Sequence, residues 1–309
     1  MSQYHPVTFQ TTFKNNVELV LNQHKNMLLD AAVVTDDKSS EKIAINDLVG
    51  NNMPQEADER HGMTKWSNRT RDRIWLVKPN ELYDTELVDS ADQLATAIDL
   101  MGSATQSAIG TINRAIDRRA LEGFYGSTIT GKTGTTITAF PGAQTVPVTV
   151  GGASGAQRMN LAKLRAAGKL LAQGYADMSL PRYMVLTAEQ SDDLLTEVPA
   201  TSSDFSASFK GRVDETGRLT TLLGWNFIPM ELANPALGTI PALSLDASGY
   251  RKNPFWIKGG LVMNFWDRLR VETGKLPERL FSLGALWGTT VGATRTQAGL
   301  SGIVLNSEA

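Results

Sequence analysis

One segment of the chain matches a nucleotide-binding motif letter for letter. Residues 126–133 read Gly-Ser-Thr-Ile-Thr-Gly-Lys-Thr, which fits the phosphate-loop pattern G-x-x-x-x-G-K-[ST]. In a working phosphate loop a buried strand precedes the glycines and a helix follows, so that backbone amides face the phosphates. Here a helical pattern precedes the motif and turn-forming residues, 134–141, follow it. We interpret the match as a chance feature of a Gly/Thr-rich turn and keep a P-loop nucleotide hydrolase as an alternative function.

Other residues that could carry chemistry are scattered along the chain. The histidines are His5, His24 and His61, and their spacing does not suit a zinc site. Cysteine is absent, which excludes disulfides, thiolate catalysis and zinc–thiolate sites. Neighbouring carboxylates such as Asp36–Asp37 and Asp192–Asp193 point apart on either a helix or a strand. The sequence therefore predicts no catalytic residue, no metal site and no cofactor.

Residues 60–73 form a basic run with two nearby tryptophans, Trp66 and Trp75. Five Lys or Arg occur in fourteen residues, but the acidic residues 56–59 and Asp72 reduce the local positive charge. Interleaved aromatics would suit a binder of single-stranded nucleic acid. A segment with both signs of charge is better suited to a complementary protein surface, so we favour protein contact. The residues predicted to make inter-subunit contacts are Arg60, Lys65, Trp66, Arg69, Arg71, Arg73 and Trp75.

Composition describes an ordinary globular protein. Of 309 residues, 41% are apolar and 20% charged. The net charge of -2 does not suit a coat protein that neutralises phosphates throughout. The N-terminal residues lack the basic-then-apolar order of a secretory signal, and no apolar run approaches the roughly 20 residues that span a bilayer. We expect a soluble protein that folds in a reducing cytoplasm and has no membrane partner.

Helical patterns dominate the first half of the chain. A short amphipathic helix is predicted over 14–30. A capping box at 90–93 starts a second helix that ends at Gly102, and a further box at 103–106 starts a long helix over 104–124. The apolar stripe predicted for the long helix is Ala108, Ile109, Ile112, Ala115, Ile116, Ala120 and Phe124. The charged residues predicted to lie largely off that stripe are Arg114, Asp117 and Arg118.

The remaining segments mix short strands with two more helices. Helices are predicted from Asn160 to about Gly174 and, behind a capping box at 187–190, to about Val198. The segments predicted to form strands are parts of 126–158, 183–186, 225–230, 254–273 with a break at Gly259, and 285–305. The Ser-rich stretch 201–209 is predicted to be a loop. Residues 1–50 and 51–85 lack the apolar density for a core of their own, which predicts an arm and a two-stranded loop that rests on a neighbour.

Several short motifs occur in a characteristic order between residues 45 and 305. They are Glu59-Arg-His-Gly62, Ile74-Trp-Leu-Val-Lys-Pro79, Leu87-Val-Asp89, Thr111-Ile-Asn-Arg-Ala-Ile-Asp-Arg118 with Leu121 and Gly126, Gly292-Ala-Thr-Arg295 and Gly302-Ile-Val-Leu305. In this order they resemble the major capsid proteins of tailed phages. The individual motifs are only moderately specific, so the resemblance rests on their succession.

The resemblance implies an α+β HK97-type capsid fold. The parts it implies are an N-arm at 1–47, an extended β-hairpin called the E-loop at 48–85, a peripheral domain at 86–154 with a spine helix at 104–124, an axial domain at 155–245, and a return to the peripheral domain with a C-terminal strand at 246–309. No cross-linking motif can be matched.

It further implies a structural function. The subunit would assemble with itself as hexamers and pentamers into an icosahedral or prolate head shell that encloses double-stranded DNA without sequence-specific binding. Its location would be the virion, after assembly in the cytoplasm of the bacterial host. Some members carry a long N-terminal scaffolding segment that is not found here, which implies a separate scaffolding protein. A portal and, optionally, a decoration protein are further implied partners. An encapsulin-like cargo shell shares the fold and is the alternative.

Overall fold

The computed structural model describes most of the chain. The described residues are 25–38, 40–49, 54, 56, 63–69, 71–88, 100–152, 155–197, 211–215, 217–231, 243, 245–279 and 282–308. The loop expected at 201–209 and most of the helices expected over 14–30 and 90–102 lie outside these residues. Within the described part of the first of these helices, Leu29–Ala31 forms a 3-10 turn.

A long two-stranded hairpin runs through the molecule. Strands β13 (Leu261–Leu276) and β14 (Ser282–Arg295) pair antiparallel over roughly 50 Å. Strand β1 (Val33–Thr35) lies parallel to β13, and β4 (Leu82–Val88) lies antiparallel to β14, so the sheet order is β1-β13-β14-β4. Residues of the C-terminal third that were predicted to form strands therefore supply β13 and β14, the two central strands of this sheet.

Helix α1 (Leu100–Tyr125) packs on this sheet and confirms the predicted long helix. It continues through Gly102 and Ser103, so the predicted break between two helices is wrong. A glycine inside a helix costs only about 1 kcal/mol, which the packing of a long apolar stripe offsets. Ile109, predicted on the stripe, is exposed. The buried apolar residues of α1 are Ala108, Ile112, Ile116, Ala120, Leu121 and Phe124.

A seven-stranded sheet forms the second layer. Its strands, in spatial order, are β7 (Thr145–Val146), β15 (Ser301–Asn306), β12 (Arg251–Ile257), β8 (Arg182–Leu186), β11 (Trp225–Pro229), β10 (Leu219–Leu222) and β9 (Arg212–Val213). Strand β12 is buried on both faces. Phe255 and Ile257 belong to one core and Trp256, pointing the opposite way, belongs to the core that includes α1. The sheet therefore joins the two cores of the molecule.

Helices α2 (Leu161–Gln173) and α3 (Ala188–Glu197) belong to the same half of the fold as this sheet, and both begin as predicted. The side chain of Asn160 accepts a hydrogen bond from the Lys163 amide. The capping box of α3 is reciprocal: the Thr187 amide donates to Gln190 Oε1, and the Gln190 amide donates to Thr187 Oγ1. Local sequence sets both helix starts.

The predicted division at residue 246 does not follow the sheets. Strands β12 and β15 both lie after residue 246, yet β12 pairs directly with β8 and with β15 in the seven-stranded sheet. The pairing of β12 with β8 joins residues more than 60 positions apart, and local sequence patterns do not report such distant pairing. Among the described strands after residue 246, β13 and β14 belong to the first sheet.

A third, smaller sheet stands beside the hairpin. Its order is β2-β3-β5-β6, where β2 is Lys42–Val49, β3 is Arg71–Val77, β5 is Thr128–Thr130 and β6 is Thr136–Thr138. Strand β2 reaches the start of the predicted E-loop, 48–85, and β3 lies within it. The paired segment thus begins at Lys42 and ends at Val77, which is a different span from the 48–85 expected from the sequence.

Candidate assembly surface

Strands β2 and β3 carry a loop away from the body of the protein. They pair antiparallel from Lys42–Val77 to Val49–Arg71. Of the connecting residues 50–70, the stretch 63–69 is described, has no regular secondary structure and is exposed throughout. Met63 is 95% exposed and Trp66 is 92% exposed. Met63 and Trp66 therefore expose large apolar side chains to solvent, and the basic residues Lys65 and Arg69 lie close to them in the sequence.

The base of this loop is firmly attached. Ile74 and Leu76 of β3 are buried, and Leu76 packs in a small cluster with Ile43 and Trp266. The indole of Trp266 also donates a 2.8 Å hydrogen bond to the Ser40 carbonyl. Because β2 and β3 are fixed at this end, the loop extends from a rigid support.

Trp75 belongs to the attachment of the loop. Its indole nitrogen donates a 2.7 Å hydrogen bond to the carbonyl of Gly131. The ring also covers Gly134, where an added Cβ would come within 3.0 Å of the Trp75 ring. The Gly131 amide donates to Asp72, and the Arg73 guanidinium lies 5.4 Å from the centre of the Trp75 ring. These contacts fasten β3 to the turn between β5 and β6.

That turn is the segment with the phosphate-loop letters. Helix α1 ends just before it, and β5 and β6 form an antiparallel hairpin around Gly131, whose φ of 93° suits glycine. No α-helix follows the motif within the described residues 126–152, where a 3-10 turn at Gly142–Gln144 is the only helical segment, and the Lys132 side chain is exposed. The order of elements is the reverse of the one that a phosphate cradle requires.

The structure separates the seven predicted contact residues into groups. Lys65, Trp66, Arg69 and Arg71 are exposed, which suits contact with another molecule. Arg73 and Trp75 are half-buried and contact the same chain. The remaining predicted contact, Arg60, lies outside the described residues.

The N-terminal residues that the structure describes pack onto the body. Leu28 is fully buried, and its amide donates to Asp117 of α1, as does the amide of Met27. Burial raises the pKa of Asp117 to about 6, against the two amide hydrogen bonds that lower it. The indole of Trp256 donates to the Ala31 carbonyl. Part of the predicted arm is therefore an integral piece of the core.

An exposed ion pair holds the same segment further along. The Arg268 guanidinium on β13 donates to both carboxylate oxygens of Asp36, at 2.8 and 2.7 Å. This hydrogen-bonded pair lowers the pKa of Asp36. The bidentate contact lies just beyond the point where β1 pairs with β13, so it extends the attachment of the segment.

Sequence reasoning missed three buried cations as well as Asp117. Arg114, which was predicted with Asp117 to lie largely off the apolar stripe of α1, is buried. The Lys163 ammonium donates to the carbonyls of Gln157 and Leu305 and to Asn306 Oδ1. Burial lowers its pKa to about 8, against the charge of Asp193, which raises it. Burial also lowers the pKa of Arg295 to about 10, and its guanidinium donates to the Gly126 carbonyl at the end of α1. No sequence pattern marks these positions as buried.

Two kinds of site are not found in the part of the chain that the structure describes. None of its helices is long and apolar enough to cross a membrane. No group of three or more His, Cys, Asp or Glu among the described residues is arranged to hold a metal ion.

The arrangement of parts defines the class of protein. A spine helix against a long hairpin, a projecting two-stranded loop and a second layer of sheet and helices make up an HK97-type capsid fold. The capsid protein of cyanophage P-SCSP1u has a TM-score of 0.68 at 10% identity, with 100% of each chain covered. The capsid of Ralstonia phage GP4 has a TM-score of 0.66 at 13% identity, covering 95% of this chain and 94% of that chain. The mature capsid of bacteriophage PhiM1 has a TM-score of 0.65 at 12% identity, covering 97% and 92%.

Family membership comes from the sequence itself. A family model described as phage capsid protein matches residues 6–308. No curated protein matches the chain. The chain belongs to this phage capsid family and is a major capsid protein, a subunit of the shell.

Proposed function

We propose that the loop between β2 and β3 is the E-loop through which subunits of this shell hold one another. The observation that carries the proposal is the exposure of Trp66 and Met63 on a loop whose base is fixed to the body. Exposed apolar area of this size is costly in water, and a neighbouring subunit would cover it. Arg69 and Arg71 would set the register of the contact through charge.

The two halves of the fold would have separate tasks in the shell. The sheet of β13 and β14 with α1 would form the peripheral domain, and the seven-stranded sheet with α2 and α3 would form the axial domain that gathers into hexamers and pentamers. Strand pairing supports placing β12 and β15 with the axial part. Head-to-tail contacts that close at such axes produce a finite shell rather than a fibre.

The shell would be the head of a tailed phage, icosahedral or prolate, assembled in the bacterial cytoplasm around double-stranded DNA. A net charge of -2 fits a container that surrounds the genome without gripping its phosphates. A separate scaffolding protein, a portal and, optionally, a decoration protein would be its partners. Many weak contacts acting together suffice to hold such a shell.

A loop-shortened variant tests the proposal without damaging the fold. Replacing residues 50–70 with Asn-Gly produces a β-hairpin with a two-residue turn, in which Val49 and Arg71 are the last pair of the two strands. It also keeps Ile74 and Trp75 in place. We expect folded subunits that no longer form shells, as measured by sedimentation velocity and electron microscopy.

A second test keeps the length of the loop but removes its large apolar side chains, and it has a matched control. Met63→Ser with Trp66→Ser should reduce the yield of shells, whereas the control Asn68→Ala, at an exposed position of the same loop, should leave it unchanged. Circular dichroism of each variant separates loss of assembly from loss of folding. Normal particles from the shortened loop would refute the assembly role of the loop.

A further inference from the structure

A cavity lined by arginines lies between the spine helix and the first residue of β4. It has a volume of about 350 Å³, and its walls include Arg114, Arg118 and Arg119 of α1 together with Leu82 of β4. The residues of α1 that line it are three or four positions apart, so they form one stripe along the helix. Three guanidinium groups and one carboxylate, that of Glu122, line the cavity, which gives its walls a net charge of +2.

The three arginines lie at different depths. Arg118 is exposed, Arg119 is half-buried and Arg114 is buried. The Arg114 guanidinium donates a 3.1 Å hydrogen bond to Thr111 Oγ1, and the Thr111 hydroxyl donates to the Ser107 carbonyl, so Thr111 helps to fix this guanidinium in place. Burial lowers the pKa of Arg114, because the folded chain withdraws its charge from water. An anion in the cavity would offset that loss of hydration.

Glu122 holds the other two arginines close together. Arg118 Nε donates a 2.8 Å hydrogen bond to Glu122 Oε1, and Arg119 Nε lies 3.9 Å from Glu122 Oε2. Among the described residues, no acceptor binds the terminal Nη atoms of either arginine, so these donors remain available. Asp84 and Glu86 of β4 lie on the α1 side of the sheet, but they neither line the cavity nor form an ion pair with Arg118 or Arg119.

Neighbouring guanidinium groups with available donors suit a phosphate group. The planar fork of each guanidinium donates paired hydrogen bonds to the oxygens of an oxyanion. A carboxylate or a phosphodiester brings a single negative charge, whereas a terminal phosphate brings about -1.5 to -2 at pH 7, which matches the net charge of the walls. The volume of the cavity is several times the roughly 30 Å³ of one water molecule, so such an anion fits.

We propose that this cavity binds a phosphate group, either free inorganic phosphate or the terminal phosphate of a nucleotide, which Arg118 and Arg119 hold above the buried charge of Arg114. The anion would tie the spine helix to the start of β4 and stabilise the single subunit. One small anion per subunit agrees with the net charge of -2, because it requires no general attraction for DNA. The proposal goes beyond the assembly role of the E-loop and does not depend on it.

Isothermal titration calorimetry of unassembled full-length subunits with inorganic phosphate, at constant ionic strength, tests the site directly. The parent should bind phosphate saturably, with one anion per subunit. Arg118→Gln with Arg119→Gln removes the two guanidinium groups nearest to solvent and should weaken the Kd for phosphate at least tenfold. Arg114 is left unchanged because it is buried. Glutamine is a good helix former, so this variant should fold, which circular dichroism checks.

Two further variants separate a specific site from a general effect of charge. Arg165→Gln with Lys169→Gln removes the same amount of positive charge from exposed positions of α2 and should bind phosphate as the parent does. Arg118→Lys with Arg119→Lys keeps the charge but loses the planar forks, so its affinity should lie between those of the parent and the glutamine variant.

Titration with adenosine monophosphate and with adenosine distinguishes the two sources of the phosphate group. Tighter binding of the monophosphate than of inorganic phosphate would identify the end of a nucleotide as the ligand. Equal binding of the two would identify the phosphate group alone. Adenosine lacks the anion and should not bind in either case.

Three results would overturn the site. The first is no saturable binding of phosphate to the parent, or the same affinity in the parent and the glutamine variant. The second is binding of duplex DNA without terminal phosphates in place of inorganic phosphate, since the ligand would then be a phosphodiester. The third is a lower yield of particles from the glutamine variant with no phosphate binding by the parent, which would assign the arginines to an acidic group of another subunit. None of these results bears on the variant with the shortened loop, so the assembly role of the E-loop is tested separately.

Discussion

The buried carboxyl of Asp117 connects the N-terminal segment to the spine helix. It accepts hydrogen bonds from the amides of Met27 and Leu28, at 3.0 and 3.2 Å. Burial raises its pKa from 3.8 to about 6. A carboxyl with a raised pKa in the folded state stabilises the fold most below its unfolded pKa and loses that contribution as the pH rises through 6.

The stability of the subunit should therefore depend on pH through the titration of Asp117. Between pH 8 and pH 4, the free energy of unfolding of the parent should increase relative to that of Asp117→Asn, by about 3 kcal/mol at most. Urea unfolding of unassembled subunits at several pH values measures the difference. A difference that stays constant with pH would contradict the raised pKa.

Removing the carboxyl altogether should be more damaging than neutralising it. Asp117→Ala leaves the Met27 and Leu28 amides without these acceptors, and each such loss in the interior costs about 1–3 kcal/mol. We expect a loss of about 2–4 kcal/mol at pH 7. The half-buried carboxyl of Asp246 accepts hydrogen bonds from the amides of its own turn and serves as a comparison. Equal stability of Asp117→Ala and the parent would show that the segment is held by other contacts.

At the scale of elements, the close approach of α1 to β14 depends on one glycine. A Cβ added at Gly123 would lie 2.2 Å from the carbonyl oxygen of Ala293, well inside any real contact. The helix can lie this close to the strand only because residue 123 has no side chain. This crossing sets how the spine helix lies on the long hairpin.

The same substitution should have opposite effects in two helices. Gly123→Ala should destabilise the subunit by about 1–3 kcal/mol, because the helix must move away from β14. Gly168→Ala in α2 meets only the end of the Arg182 side chain, at 3.6 Å, and should stabilise by up to about 1 kcal/mol through helix propensity. Melting temperatures of the two variants test this contrast. Similar shifts in both would contradict the proposed role of Gly123.

At the scale of the whole molecule, assembly should respond to salt through the loop. Arg69→Glu with Arg71→Glu should slow shell formation several-fold at low ionic strength, because it reverses the charges that are proposed to set the register of the contact between subunits. The difference should shrink near 1 M salt, where the Debye length falls to about 3 Å. Light scattering follows the rate.

A control with the same change in charge separates local from global effects. Arg165→Glu with Lys169→Glu alters two exposed positions on α2, away from the loop. It should change the rate much less. Arg73 is left unchanged in both variants because it lies over the Trp75 ring at the base of the loop. Equal slowing by both pairs would indicate a general charge effect and contradict a specific contact.

Local patterns in the sequence determined a large part of the fold. The apolar spacing of residues 108–124 predicts the spine helix, and the caps at Asn160 and Thr187 predict the starts of α2 and α3. These features depend on neighbours within four positions, so a single sequence reports them. The exposed loop with Trp66 is predicted on the same basis, because a basic stretch with few apolar residues cannot form a core.

Contacts between segments far apart in the sequence determined the rest of the fold. Strand β12 pairs with β8 across more than 60 residues, Trp75 contacts a turn 56 positions away, and Asp117 is buried by a segment 89 to 90 positions before it. Residues 274, 284 and 87 come into register only in the folded sheet. Partners so far apart leave no periodic pattern in the sequence, because the surroundings of each side chain are set by residues that only the folded chain brings next to it.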